Sequence, residues 1–289
     1  MKVLLSGASG FVGRHVAAAL LDAGHDLALV GRDPGRLSPA LAAAGVPFHR
    51  CDLHAEDEVA SLLERLPMPD VFMHFAWPAV GNVMAPEHLT RTLPAELRLA
   101  DRLVDWGVGH LLVSGTCLEY GMQSGPLGEG SQTLPSTPYG IAKDCLRKAL
   151  EVLQARRPIT LQWLRLFYLH GEGQPPRSLL PQLECAIASG DAVFPMSRGD
   201  QLRDYMAVEE VATEAAALIG RPEIDGVINC CSGTAIAVVD LVRRIIEEQG
   251  ASIDLDRGHY PYPSYEPLAF WGVPGKILAL RGEKRSDAT

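Results

Sequence analysis

Positive charge is in short supply in this 289-residue chain. Its 26 lysines and arginines are outnumbered by 35 aspartates and glutamates, a net charge of −9 at neutral pH, and basic residues nowhere run longer than two together. That balance disfavours nucleic acid as a partner, because a polyanion needs a basic patch or stripe. Apolar runs are short as well. None approaches the ~20 residues that cross a bilayer, so no membrane partner is expected. A strand-like run beginning at residue 2 leaves no room for a leader peptide, which makes the cytoplasm the expected location. Cysteine is sparse: the six at 51, 117, 145, 185, 230 and 231 have no metal-ligand spacing, and adjacent Cys230 and Cys231 cannot easily pair. Buried thiols and no metal site are expected. Internal repeats and low-complexity stretches are missing too. What is present, 47% hydrophobic residues at a mean hydropathy of +0.07, suits an ordinary globular chain of one large or two modest domains.

Against that plain background one stretch stands out, Val3-Leu4-Leu5-Ser6-Gly7-Ala8-Ser9-Gly10-Phe11-Val12-Gly13. An apolar run of strand type enters three glycines, Gly7, Gly10 and Gly13, and leaves through the helix-like Val16 to Leu21. Glycine suits a turn that must be tight, that a pyrophosphate must approach without a Cβ in the way, and that must let a helix pack closely on a strand. The helix N-terminus then offers free amides to the anion. Ser9, Phe11 and Val12 join the glycines as candidate cofactor contacts. A bare glycine triplet also marks ordinary turns; its place between strand and helix favours a dinucleotide.

Strand and helix then alternate. Strands are expected over 26–30, 48–51, 71–76, 111–114 and 160–166, and helices over 34–44, 56–66, 87–106 and 139–154. This rhythm predicts an α/β fold with a Rossmann-type doubly wound parallel sheet. Beyond Leu166 the chain breaks into Pro- and Gly-rich loops. A helix over 208–219 and a strand over 226–229 return to the sheet. The expected division is therefore a dinucleotide-binding domain of 1–167 plus 203–229, and a smaller discontinuous C-terminal substrate lobe of 168–202 plus 230–289. The polar tail from Arg281 is expected to fray.

The strand ending at Ser114 leads to Thr116-Cys117-Leu118-Glu119-Tyr120-Gly121, and later comes Tyr139-Gly140-Ile141-Ala142-Lys143. Tyrosine and lysine four apart share a helix face. A phenol of pKa about 10 transfers protons poorly near neutrality unless a cation favours its phenolate. Lys143 can do that and can also reach a ribose hydroxyl. Thr116, beyond the C-terminal end of a parallel strand, could hydrogen-bond the carbonyl oxygen that Tyr139 protonates. Taken singly, each could be an exposed pair or a plain turn residue; in this order they read as a proton-transfer site beside a dinucleotide.

Together these motifs resemble the extended short-chain dehydrogenase/reductase family, the NAD-dependent epimerases and dehydratases of nucleotide sugars. The likeness also rests on Asp52-Leu53, on His74-Phe75-Ala76, and on Arg203-Asp204-Tyr205 before Val208-Glu209-Glu210. It implies that Tyr139 is the acid/base, Lys143 holds the nicotinamide ribose, Thr116 orients the carbonyl and Asp52-Leu53 contact adenine. Phe75 and Ala76 would line the cofactor. Arg203 would meet the diphosphate of a nucleotide-sugar substrate, guanidinium being suited to bidentate phosphate contacts; a structural ion pair is the other reading. Two family asparagines are absent: Tyr168 replaces one that touches the nucleotide sugar, and the helix asparagine near Thr92 is lost. Trp77 would crowd the nicotinamide edge or the sugar, or pack in the core.

At the end of the second strand Gly31 stands where a carboxylate would hold the adenosine ribose of NAD, and Arg32 could pair with a 2′-phosphate. NADP is expected, with NAD kept open by Asp33. Dehydration needs a carboxylate beside the catalytic turn, where this chain has Cys117 and Leu118. The epimerising synthases of the family carry a cysteine where Leu118 stands. His170 could add an acid or base, or be structural. The stretches 116–125 and 201–205 look similar to sugar-nucleotide 4-ketoreductases such as the 6-deoxy-L-talose 4-dehydrogenase group. The expected activity is reduction of a nucleotide-linked 4-keto-6-deoxy sugar, with a 4-epimerase, or a non-catalytic NADP-binding protein, as alternatives. Stripes at Leu89, Leu93, Leu97, Ala100 and Val104 and at Leu146, Leu150 and Leu153 fit either core packing or the family's homodimer contact, and a homodimer is expected.

Overall fold

In the computed structural model every residue is described except Ala79 and 287–289. Seven parallel strands form the central sheet: β1 (Lys2–Ser6), β2 (Asp26–Gly31), β3 (Phe48–Arg50), β4 (Val71–His74), β5 (His110–Thr116), β6 (Thr160–Leu166) and β7 (Gly226–Cys230). Their order across the sheet is β7-β6-β5-β4-β1-β2-β3. The order reverses at β1, between β4 and β2, and the glycine turn lies at that switch point.

Side chains that alternate along a strand face opposite ways, and here both directions are apolar. Val3 and Leu5 enter one core with Met73, Leu112 and Leu164, while Leu4 enters the other with Phe72, Leu111 and Trp163. A sheet apolar on both faces must be covered on both, which the crossover helices do. Helix α1 (Phe11–Asp22) lies with the later Val208–Leu218 helix on the first face. On the second lie α3 (Glu56–Arg65), α4 (Leu93–Trp106) and α5 (Pro138–Arg156).

Two expected helices are corrected. The stretch 34–44 divides into a 3₁₀ turn, Pro34–Arg36, and a short α2, Pro39–Ala43, because Pro39 has no amide to continue a helix and instead starts one under the Ser38 cap. The stretch 87–106 opens with a π-helical turn, His88–Thr92, before α4. Cys145 and Cys185 lie on the surface rather than among the buried thiols.

The remaining elements include α6 (Leu179–Ser189), α7 (Val208–Leu218) and α8 (Val238–Glu248), with short two-stranded pairs between them. Leu183, Phe194, Met196, Val238, Val239 and Val242 make a separate small core there. A last helix, α9 (Leu278–Ser286), begins the tail expected to fray; Arg281 holds it by donating to Glu214 at 2.6 Å and to the Cys231 carbonyl at 2.7 Å. Residues 287–289 lie outside the described part.

Candidate active site

The glycine turn shows why it needs glycine. Gly7 has φ +86°, and a Cβ on it would lie 2.5 Å from the Ala76 amide nitrogen and the Phe75 carbonyl carbon; one on Gly13 would lie 2.1 Å from the Gly7 oxygen. Gly10 caps α1 with no side chain on its first amides, so those of Phe11 and Val12 could hold a pyrophosphate. A cleft of about 380 Å³ opens here, lined by Gly7, Ser9, Gly10, Arg32, Asp52, Leu53, Phe75, Ala76 and Trp77. Its shape and donors fit a dinucleotide. Arg36 joins Arg32 on the wall. The Asp33 carboxylate accepts from the Gly35 amide at 2.9 Å and caps the 3₁₀ turn.

Tyr139 and Lys143 lie behind Trp77. The Lys143 ammonium is fully buried, donates to the Ser114 carbonyl at 2.7 Å and sits 3.9 Å from the centre of the Trp77 ring. Burial lowers its pKa to about 8, against the opposing pull of Glu96 and Glu119. The Tyr139 ring stands 5.8 Å from Trp77 and 5.2 Å from His88. Burial drives its pKa upward, and Glu119 and Cys117 add to that. Thr116 ends β5 and caps the following 3₁₀ turn, its hydroxyl accepting from the Leu118 amide at 3.3 Å. Helix α5 reaches this turn because residue 140 is glycine: a Cβ there would lie 2.7 Å from the Leu118 oxygen.

On the far side, Arg203 is buried. It donates to Glu266 at 3.0 Å and to the carbonyls of Leu202 and Leu268, with the Tyr168 and Phe270 rings flanking it at 5.5 and 4.8 Å. Its guanidinium is thus matched by a carboxylate of the chain itself. The Tyr168 hydroxyl is buried and its pKa is raised, first by burial and then by Glu266.

Three groups escaped the sequence reading. Trp77 donates to His88 at 3.1 Å, and His88, on the π-helical turn, contacts the Asn82 carbonyl at 2.9 Å. A chain of hydrogen bonds crosses the cleft floor: Ser6 to His74 at 2.7 Å, His74 to Glu96 at 2.8 Å and Glu96 to His54 at 2.9 Å. An ionised Glu96 only accepts, so both imidazoles present an N–H to it. The partners lie 22 and 42 positions away in sequence, beyond local pattern. Glu119, fully buried behind Thr116, is the third, and Thr-x-x-Glu is a capping-box spacing that could have shown it.

A family model described as the NAD dependent epimerase/dehydratase family matches residues 3–231. Among curated proteins, dTDP-6-deoxy-L-talose 4-dehydrogenase (NAD(+)) of Aggregatibacter actinomycetemcomitans is 28% identical over 276 residues, covering 94% of this chain and 100% of its own. UDP-glucose 4-epimerase of Neisseria meningitidis serogroup C is 27% identical over 285 residues, covering 87% and 84%. Among solved structures, MoeE5 in complex with UDP-glucose and NAD is similar with a TM-score of 0.79 at 25% identity, covering 98% of this chain and 92% of that one.

Proposed function

The chain belongs to the NAD dependent epimerase/dehydratase family, and from that premise we propose that it is a sugar-nucleotide 4-ketoreductase acting on a nucleotide-linked 4-keto-6-deoxy sugar. One observation carries this reading: Tyr139 and Lys143 lie one turn apart on α5, which packs against the turn that Thr116 caps, while the next two side chains of that turn, Cys117 and Leu118, provide no carboxylate for a dehydration. The named dehydrogenase and the structure with UDP-glucose and NAD support the substrate class. The nucleotide domain would be 1–167 with 203–229, the rest holding the sugar.

A bound nicotinamide supplies the hydride. Tyr139 gives the phenolic proton to the O4 of the sugar as the C4–H bond forms. Lys143, with its positive charge, stabilises the phenolate left behind, and Thr116 donates a hydrogen bond to the same oxygen. Gly31 and the outward Arg32 and Arg36 favour NADP, and an Asp33 turned to its own cap leaves the ribose without a carboxylate.

The test mixes purified protein with NADPH and a panel of nucleotide-linked 4-keto-6-deoxy sugars. NADPH oxidation with one of them is expected, and no oxidation with any would overturn the reading. The UDP-glucose 4-epimerase relative favours a second reading: interconversion of 4-epimers with a retained cofactor and no net oxidation would establish that one instead.

A further inference from the structure

A carboxylate with no access to water ordinarily marks a group that something else depends on, since burying its charge costs several kcal/mol unless partners surround it. Glu119 is such a group, with no exposed surface. One oxygen accepts from the Thr116 amide at 2.8 Å and from the Trp163 indole at 2.9 Å; the other accepts from Arg165 at 2.7 Å and lies 3.7 Å from Arg147. The contacts come from three elements. Thr116 ends β5, Arg165 and Trp163 lie on β6, and Arg147 lies on α5, one turn beyond Lys143 and two beyond Tyr139. Glu119 is therefore where the strand carrying the threonine and the helix carrying the acid are joined. Gly115 leaves room for the junction: a Cβ there would lie 2.7 Å from the carboxylate and 2.2 Å from the indole nitrogen.

We propose that Glu119 is a positioning residue of the Tyr139–Lys143 site, fixing Thr116 from behind and tying it to α5. The proposal rests on the ketoreductase reading for its activity assay. Its charge also acts on the phenol. Acting on Tyr139 are Cys117 and Glu119 on the turn and His88 on the π-helical turn, with Lys143 one turn along its own helix; facing Glu119 are Arg165 and Arg147, the latter also paired with Asp144 and Glu151. The negative charge of Glu119 opposes ionisation of Tyr139 and favours the charged form of Lys143. Both effects keep the acid protonated and its partner cationic to higher pH.

Glu119→Gln keeps the size and an acceptor oxygen but removes the charge. The expected result is kcat lower by about tenfold or more, sugar KM and cofactor affinity little changed, and a high-pH limb of kcat displaced to lower pH. A limb left in place would overturn the proposal even if the melting temperature dropped, because a purely structural carboxylate would not move it. Arg147→Gln is the second variant, useful if the first fails to fold. It leaves Glu119 less neutralised, so the limb is expected to move the opposite way, to higher pH; movement in the same direction as in Glu119→Gln, or none, would overturn the proposal. Should the wild type reduce no keto sugar, the ketoreductase reading fails separately. Lys143 can still be titrated by NMR of 13Cε-labelled lysine, its signal identified with Lys143→Arg, with loss of its charge at lower pH in Glu119→Gln as the expected outcome and an unchanged titration as the contrary one.

Discussion

A lysine with no water around it keeps its charge through the groups that surround it. For Lys143 these are the Ser114 carbonyl, the face of the Trp77 indole and, at longer range, the Glu96 and Glu119 carboxylates. With a pKa held down to about 8, chiefly by burial, it is charged below that pH and neutral above it, so the proposed reductase activity is expected to decline as pH rises through about 8, read from the pH profile of kcat. Tyr139→Phe is expected to lower kcat by about 100-fold or more with cofactor affinity kept, which isotope-independent steady-state assays and a binding titration would separate. Arg32→Gln is expected to shift the ratio of the kcat/KM values for NADPH and NADH toward NADH, as the proposed NADP reading requires; an unchanged ratio would remove the role given to Arg32. The residues proposed to carry the chemistry stand out in the sequence because each belongs to a local pattern: a glycine spacing, a Tyr-x-x-x-Lys turn, a strand end. Arg203 shows the limit. Its motif announces a phosphate contact, yet Glu266, 63 positions away, occupies its open edge, and no local pattern reports a partner that distant.

Among the elements, the central strands β1, β4 and β5 were the most legible, because each is a short, mostly apolar run buried along nearly its whole length. Helices were less so where proline or a polar turn intervened. Pro39 divided one helix, and the π-helical turn that brings His88 beneath Trp77 has no signature separate from that of α4. Helix α5 illustrates a conflict between element and site. Glycine at position 140 weakens a helix, and alanine there would ordinarily add about 1 kcal/mol of helix stability. Here the added methyl would press on the Leu118 oxygen at 2.7 Å. Gly140→Ala is therefore expected to lower both the melting temperature and kcat, since it pushes Tyr139 away from Thr116; calorimetry and a rate assay on the same sample would show it.

For the molecule as a whole, charge buried at the cleft floor couples stability to pH. Burial tends to raise the pKa of Glu96, but nearby His74, hydrogen bonds from His54 and His74, and the Lys143 charge outweigh it, leaving about 2 against an ordinary 4.5. A folded-state value below the unfolded one stabilises the fold above about pH 4.5, and that contribution is lost as pH falls toward about 2. Its size is on the order of 3 kcal/mol. Glu96→Gln is expected to lower stability at neutral pH and to flatten the loss of stability across that acid window, followed by denaturant titration at several pH values. The homodimer remains a proposal about α4 and α5: of their stripes Ala100, Val104, Leu146 and Leu150 are buried in the core over the sheet, while Leu97 stays exposed at 36%. Light scattering decides it.

The sheet's outermost strand on one side, β7, is contributed late by the chain, only after α6 and α7 have been traversed. While the protein is being synthesised, the β6 backbone, flanked by Leu161, Trp163 and Leu164, must wait as an open edge until residue 230 has left the ribosome, a template for strand addition by any neighbouring nascent copy. Gln162 shortens that exposure only once the returning chain arrives, when its side-chain amide meets the carbonyls of Leu218 and Ile224. Translation through this region thus ends the interval in which that edge of the sheet lacks its strand.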